Sequence, residues 1–311
     1  MPVIHPLPLT PAGTTVPPHY VHKLDASEVL LTSLDNYRPD TFVVSARWPV
    51  RHRFYDPQRG LHDPMLFAET VRQCFPLLSH ASYDLPLGHH LIWQYLSYEI
   101  RPSAMHIDTG PTDLQLYITC SDIQRRHNGQ LAAVTLHVTA LRDGKHLGRA
   151  QARFSCHAPS IYTRLRGRHA GMTSATGTLP PAETPSLVAR DQDDNVVLSP
   201  TEQHGRWILR NDTSHPVLFD HPVDHSPGML LLEAARQAAH AHANVYAEHA
   251  YPIKIESTFL QFSELDAPCH VSVEALPTSD RTHQRTQVHA TQNGDITFSS
   301  LVTALIGPPA P

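Results

Sequence analysis

The 311-residue chain is short of the features that assign a protein quickly. No apolar run approaches the roughly 18–20 residues that a bilayer-spanning helix needs, so no membrane contact is expected. There is no basic run, and 24 Lys+Arg against 29 Asp+Glu leave a formal charge of −5, which argues against a nucleic-acid partner. The first residues, MPVIHPLPLTPAG, place proline where a signal peptide needs a continuous apolar stretch and carry no basic leader, so a cytoplasmic location is expected. Cys74, Cys120, Cys156 and Cys269 are scattered with no CxxC pair and read as buried free thiols. Histidine is abundant, at 24 residues, yet no HExxH or comparable ligand spacing occurs. Compositional bias is the default reading of those histidines, and neither a metal nor a cofactor is expected.

What the chain does have is one unusual stretch, residues 220–244, DHPVDHSPGMLLLEAARQAAHAHAN. Ser226 is placed to cap a helix, with Pro227 in the first helical position, where its missing N–H costs nothing. The following residues are apolar or Ala around most of the circumference. Glu233, Arg236, Gln237, His240 and Asn244 fall on one narrow stripe at about 100° per residue. A helix so apolar is expected to be buried, which makes the stripe either the wall of a pocket or an ordinary solvated face. The pattern occurs twice. Glu233, Arg236 and Gln237 follow Glu69, Arg72 and Gln73 by the same 164 positions (233−69), and Asp63-Pro64 stands where Ser226-Pro227 stands in the second copy. A solvated stripe rarely repeats residue for residue, so the chain reads as an internal duplication built around two such helices.

The order of elements supports that reading. Residues 1–18 are Pro-rich and read as a flexible arm. The first half, 19–157, has candidate strands at 29–32 and 42–48 and a helix from about 64 to 80, in which Pro76 is expected to make a kink or an end. Strands follow at 91–100, 114–120, 132–141 and 149–156, with Asp143-Gly144 as a hairpin turn. Residues 158–195 change character and read as a linker, most clearly in TSATGTLPPAETP. The second half, 196–306, replays the order: strands at 196–198 and 207–210, a helix from 227 to about 248, and strands at 254–263, 270–276, 285–291 and 296–306. Asn293-Gly294 is its hairpin turn, and 307–311 form a tail. Each half is thus an antiparallel sheet wrapped around one long helix, an α+β architecture that corresponds to a duplicated, or double, hotdog.

Two family resemblances attach to these residues. SPGMLLLEA, residues 226–234, resembles the PG-x-L-x-x-E-A segment of hotdog acyl-carrier-protein dehydratases, whose Glu works on a thioester-bound chain. Those enzymes carry a catalytic His eight residues before the Pro; here that position is Phe219, the nearest His is His221, and dehydration is in doubt. The second resemblance runs over most of the chain. HDPMLFAETVRQ, SHPVLFDHPVDHSPGMLLLEAARQAA and VHKLDASEVLLT are similar to the A-factor synthase family, which begins synthesis of γ-butyrolactone, butenolide or furan signalling molecules. The resemblance implies transfer of a β-ketoacyl group from acyl carrier protein to the hydroxyl of dihydroxyacetone phosphate. It implies functional roles for Glu69, Glu233 and Arg236, with Arg72 as the repeat mate.

That reaction needs a base, an oxyanion site and a cation for phosphate. Glu233 is the first candidate for the base, provided burial raises its pKa toward neutrality, and Glu69 is its equal or a substrate-binding relic. The N–H groups near Gly228 and Met229 at the helix start are candidates for the oxyanion, and Gly228 permits close approach. Arg236 is placed to fork onto phosphate. The bland alternative is an i,i+3 ion pair between Glu233 and Arg236, worth only about 0.3–0.5 kcal/mol if exposed. Asp220, His221 and His225 are near enough to reach the same pocket or else serve turn chemistry. Gln73 and Gln237 either orient a carbonyl or are satisfied buried polar groups. Competing assignments are a hotdog thioesterase or dehydratase and a non-catalytic acyl- or lactone-binding protein. A duplicated hotdog supplies its own pseudo-dimer, so both a monomer and a homodimer fit.

Overall fold

A computed structural model describes residues 15–244 and 250–306. Most of the expected arm, the expected end of the second helix near 248 and the tail lie outside the described residues. The chain divides into two compact units, with the boundary between Leu165 and Arg166. The short helix α2 (Pro159–Arg166) runs up to that boundary.

The first unit holds β1 (Leu31–Arg38), β2 (Thr41–Trp48), α1 (Pro64–Ala81), β3 (His90–Ile100), β4 (Thr112–Arg125), β5 (Leu131–Arg142) and β6 (Lys145–His157). Its strands are all antiparallel, in the order β1-β2-β4-β5-β6-β3. Period-two burial aims Phe42, Val44, Ala46 and Trp48 of β2, and Leu114, Leu116, Ile118 and Cys120 of β4, at α1. Asp63 Oδ1 accepts from Met65 N at 2.8 Å, so the expected cap opens α1. Pro76 neither ends nor truncates that helix, which runs on to Ala81. Cys74, Phe75, Leu77 and Leu78 around it are fully buried, and this packing outweighs one lost intrahelical bond.

The second unit repeats the plan with β7 (Leu198–Pro200), β8 (Arg206–Leu209), α3 (Gly228–Asn244), β9 (Ala250–Phe259), β10 (His270–Leu276), β11 (His283–Gln292) and β12 (Asp295–Ile306). Its order, β7-β8-β10-β11-β12-β9, is the order of the first unit position for position. α3 touches β7, β9, β10, β11 and β12, which buries it on most sides as its composition demands. Both hairpin turns take the left-handed backbone their sequences call for: Asp143-Gly144 at φ 50° and 73°, Asn293-Gly294 at φ 53° and 93°.

The residues expected to act as linker are different in kind from a spacer. Pro185–Val188 forms a 3-10 turn closed by Ala189 in the left-handed region (φ 53°), and Asp193–Asn195 forms a second. Pro18–Val21, closed by His22 (φ 51°), and Ala26–Glu28 do the same in the first unit. VHKLDASEVLL and VARDQDDNVVL therefore align without a gap at an offset of 167 (190−23). The stretch expected as linker thus contains turns equivalent to those that precede β1 in the first unit. Prolines and small residues disguised them, because they are tight turns and not a strand.

Candidate functional site

The duplicated polar triplet is buried in both units, save for a half-buried Arg72, and its members hold each other. In the second unit Glu233 is 0% exposed. Its Oε1 accepts from Arg190 Nη2 at 2.8 Å, Arg236 Nη2 at 2.7 Å and Gln237 Nε2 at 2.6 Å, and its Oε2 accepts from Arg236 Nε at 2.9 Å. In the first unit Glu69 accepts from Arg72 Nη2 at 2.6 Å and Gln73 Nε2 at 2.9 Å, with Lys23 Nζ at 3.3 Å. Burial alone would push both carboxyls up, but the cations reverse the direction. Arg190 and Arg236 hold Glu233 down to about 2. Arg72 and Lys23 hold Glu69 down to about 2.

These geometries correct two expectations. The pKa of Glu233, and of Glu69, is depressed by the facing cations and not raised, the reverse of what a base was expected to need. Arg236 is 3% exposed and its guanidinium is directed onto Glu233 and onto Val188 O at 3.0 Å, so it is not presented to a phosphate. Arg72 is oriented the same way, donating to Val21 O at 2.8 Å. The glutamines complete the pattern. Gln73 Oε1 accepts from Leu30 N at 2.9 Å and its Nε2 donates to Glu28 O at 2.7 Å. Gln237 Oε1 accepts from Val197 N at 3.0 Å and its Nε2 donates to Asn195 O at 2.9 Å. Each E-x-x-R-Q triplet thus pins the turn that opens its repeat to the central helix, satisfying backbone groups that the turn would otherwise bury unpaired. Lys23 and Arg190 were missed by sequence reasoning; the 167-residue repeat of the VHK and VAR segments is the signal that finds them.

The remaining candidates gather ahead of α3. Leu231 N donates to Pro227 O, so the amides of Gly228, Met229 and Leu230 precede the first intrahelical bond and face the positive end of the dipole. Ser226, expected as a cap, uses its hydroxyl to donate to Asn211 Oδ1 at 2.7 Å, and its N–H donates to Ser263 O at 2.8 Å. His221 lies 3.7 Å from Asp220 and is 42% exposed in its side chain. His225 is more tightly built: its Nδ1 stands 2.9 Å from Asp224 Oδ1, and Asp224 Oδ2 stands 3.2 Å from Arg166 Nε. Arg166 lies 4.0 Å over the Phe262 ring and pairs with Glu264, while His225 meets the same ring edge-on at 4.9 Å. The structure therefore separates the expected site into two sets. Glu233, Arg236 and Gln237 form a closed strut, and His225, Gly228 and Met229 lie at the mouth of the helix. Among the described residues no three His, Cys, Asp or Glu side chains come together as a metal-binding group.

Comparison with known proteins gives this geometry its context. The model of the A-factor biosynthesis hotdog domain matches twice, over residues 6–158 and 173–306. A Streptomyces virginiae protein named 2-oxo-3-(phosphooxy)propyl 3-oxoalkanoate synthase is 39% identical over 290 residues, covering 93% of this chain and 97% of the relative. Relatives of the same name from Streptomyces coelicolor, 36% identical over 94% of this chain and 91% of theirs, and Streptomyces griseus, 39% identical over 87% and 88%, match similarly. Among solved structures, a Lactobacillus plantarum chain provisionally described as an oleoyl thioesterase superposes with a TM-score of 0.54 at 8% identity, covering 86% of this chain and 97% of that one. A Novosphingobium aromaticivorans chain provisionally described as a thioesterase gives 0.51 at 12% identity, covering 88% and 98%. At those identities the likeness speaks for the fold alone, and the fold is the duplicated hotdog. By two matched repeats and by close relatives along nearly its whole length, the chain belongs to the A-factor biosynthesis hotdog family.

Proposed function

We propose that this protein is an acyltransferase that joins a 3-oxoalkanoyl group to the free hydroxyl of dihydroxyacetone phosphate, the first step toward a butyrolactone-type signal. The observation that carries the reading is the 39% identity over 93% of the chain to a synthase whose name states the product. A 2-oxo-3-(phosphooxy)propyl ester is dihydroxyacetone phosphate acylated on its hydroxyl. The donor that suits a hotdog enzyme is a thioester, and acyl carrier protein is the proposed carrier. The hydroxyl oxygen attacks the thioester carbonyl, its proton passes to a base, the C–O bond forms, the C–S bond breaks and the thiol leaves with a proton. The amides at the start of α3 are proposed to hold the oxyanion, since a helix N-terminus offers both N–H groups and a favourable dipole.

The test is incubation of the full chain with a 3-oxoacyl thioester, with and without dihydroxyacetone phosphate, read by mass spectrometry. Formation of the phosphorylated ester only when acceptor is present supports the transferase. Release of free 3-oxo acid at the same rate without acceptor would make the protein a thioesterase. Binding of the thioester with no turnover would make it a carrier.

A further inference from the structure

A cavity of about 310 Å³ opens at the end of β3 in the first unit, lined by Glu99, Ile100, Arg101, His146 and Arg149. β3 and β6 pair there with Glu99 opposite Arg149 and Ile100 opposite Gly148. Arg101 keeps an extended backbone (φ −98°, ψ 115°), and its N–H donates to Leu147 O at 2.8 Å, so the pairing runs one residue past β3. Alternation sets Arg101 on the same sheet face as Glu99, opposite to Tyr98, whose ring meets Phe67 of α1. On β6 the register shifts at Ala140/Leu141, which leaves Leu147 as the extra residue of a β-bulge. Leu147 is fully buried, and the bulge gives its outward place beside Arg149 to the half-buried His146. Gly148 permits the close approach of the two strands, since a Cβ there would stand 2.6 Å from Glu99 O. The charges in the lining are unequal. Arg149 Nη2 donates to Glu99 Oε2 at 2.7 Å, and its other nitrogens have no partner among the described residues. Arg101 has no side-chain partner among the described residues. His146 Nδ1 is buried without a hydrogen-bond partner among them.

We propose that this cavity is a binding site for inorganic phosphate or a small phosphate monoester, held by Arg101, Arg149 and His146. Its volume lies at the lower end of the range of ligand pockets, about 300–1,000 Å³, which suits an ion or a three-carbon ester and not a nucleotide. Ile100 is the one apolar side chain in the lining, too little for an acyl chain. Two guanidiniums against one carboxylate leave an excess of positive charge that a dianion neutralises, and each planar fork matches a pair of phosphate oxygens. The imidazole adds an N–H donor from the β6 side. Glu99 competes with the anion for Arg149 and repels it, so binding is weak and the ligand exchanges. Binding here is measured without turnover and is independent of the reaction proposed above.

The full chain is titrated with inorganic phosphate and with glycerol 3-phosphate at constant pH and ionic strength, and the imidazole signals are followed by NMR. The variant H146Q identifies the His146 signal by its loss. That signal is expected to shift saturably in the millimolar range with both ligands. Dimethyl phosphate, a monoanionic diester, and acetate should bind at least about tenfold more weakly, since each carries half the charge. R101Q is expected to weaken phosphate binding by about tenfold or more, as loss of a charged hydrogen-bond donor does. E99Q removes the competing carboxylate and should tighten binding by about threefold, a gain that a merely structural Glu99 would not produce. Glu99 and Arg101 lie outside the core, so both variants should keep the wild-type unfolding midpoint. An unmoved His146 signal, equal binding of acetate or dimethyl phosphate, undiminished binding by R101Q or weaker binding by E99Q would each overturn the assignment.

Discussion

Replacing Glu233 by Gln separates a structural carboxylate from a catalytic one. Glu233 is wholly buried and is faced by two guanidiniums, those of Arg190 and Arg236, each within 3.0 Å of its oxygens. In E233Q an amide nitrogen replaces one oxygen, and the two buried guanidiniums lose the carboxylate that they share. Removing one member of a buried ion pair costs about 3–5 kcal/mol, because the remaining charge is stranded in low dielectric. The depressed carboxyl agrees in sign, since its neighbours favour the charged form in the folded state. At roughly 2–4 °C per kcal/mol, the midpoint of the second unit should drop by about 6–20 °C.

The assay is urea or thermal unfolding followed by circular dichroism, with turnover measured in parallel below the transition. The strut predicts a large loss of stability and, for the fraction still folded, turnover within about tenfold of wild type. Retention of wild-type stability together with a loss of more than about 100-fold in turnover would refute the reasoning and return the role of base to Glu233. A second arm sharpens the result. Replacing Arg190, Glu233 and Arg236 together by Met, Leu and Met should cost less than E233Q alone, because an apolar set strands no charge.

Other consequences of the same geometry are open to direct measurement. Gln237→Leu removes the partner of Val197 N and Asn195 O, and a cost of about 2–4 kcal/mol in denaturant unfolding is expected; less than about 0.5 kcal/mol would mean the turn is held by something else. Both Glu69 and Glu233 have folded-state pKa values below their ordinary one, so the stability they contribute is complete above about 4.5 and is lost as pH falls toward 2. Acid titration of stability should steepen in that window, and E69Q and E233Q should each flatten it; a flat wild-type profile there contradicts the depressed values. Burial pushes the thiols of Cys120 and Cys269 up to about 11 and that of Cys156 up to about 12, and Cys74 is raised further. A chromogenic disulfide should therefore label none of the four quickly until denaturant is added, and one fast-reacting native thiol would contradict their burial.

The legible and illegible parts of this molecule differ in physical kind. The central helices, most strands and both hairpins follow from period and turn chemistry: an apolar circumference can only be buried, and Asp-Gly or Asn-Gly between alternating runs can only turn one way. The turns ahead of β7, Pro185–Val188 and Asp193–Asn195, were hidden because they have no periodicity, and a Pro-rich polar stretch resembles a linker. Burial of the E-x-x-R-Q stripe was foreseeable from the rest of the helix. The direction of its pKa was not, since that depends on Lys23 and Arg190, cations some 43–46 residues distant in sequence (69−23 and 233−190) that only the folded chain brings within 3.3 Å. The link between Arg166 and Asp224 was equally invisible, being a contact between a helix end and a loop 58 residues later.

The duplication also bears on where function should be sought. Repetition of Glu, Arg and Gln at one spacing is real, and it was reasonable to take it as the mark of a site. Yet after a gene doubles, what both copies must keep is whatever each needs in order to fold. Here both copies tie an opening turn onto a largely buried helix, and the glutamine and arginine of each triplet pair backbone groups of that turn. Ahead of α1, Leu61 and His62 are buried in the core with Trp48, so that position in the first unit is at least a packing position. A repeated polar set of this kind is accounted for by what each half needs in order to fold, so its repetition does not by itself mark a site.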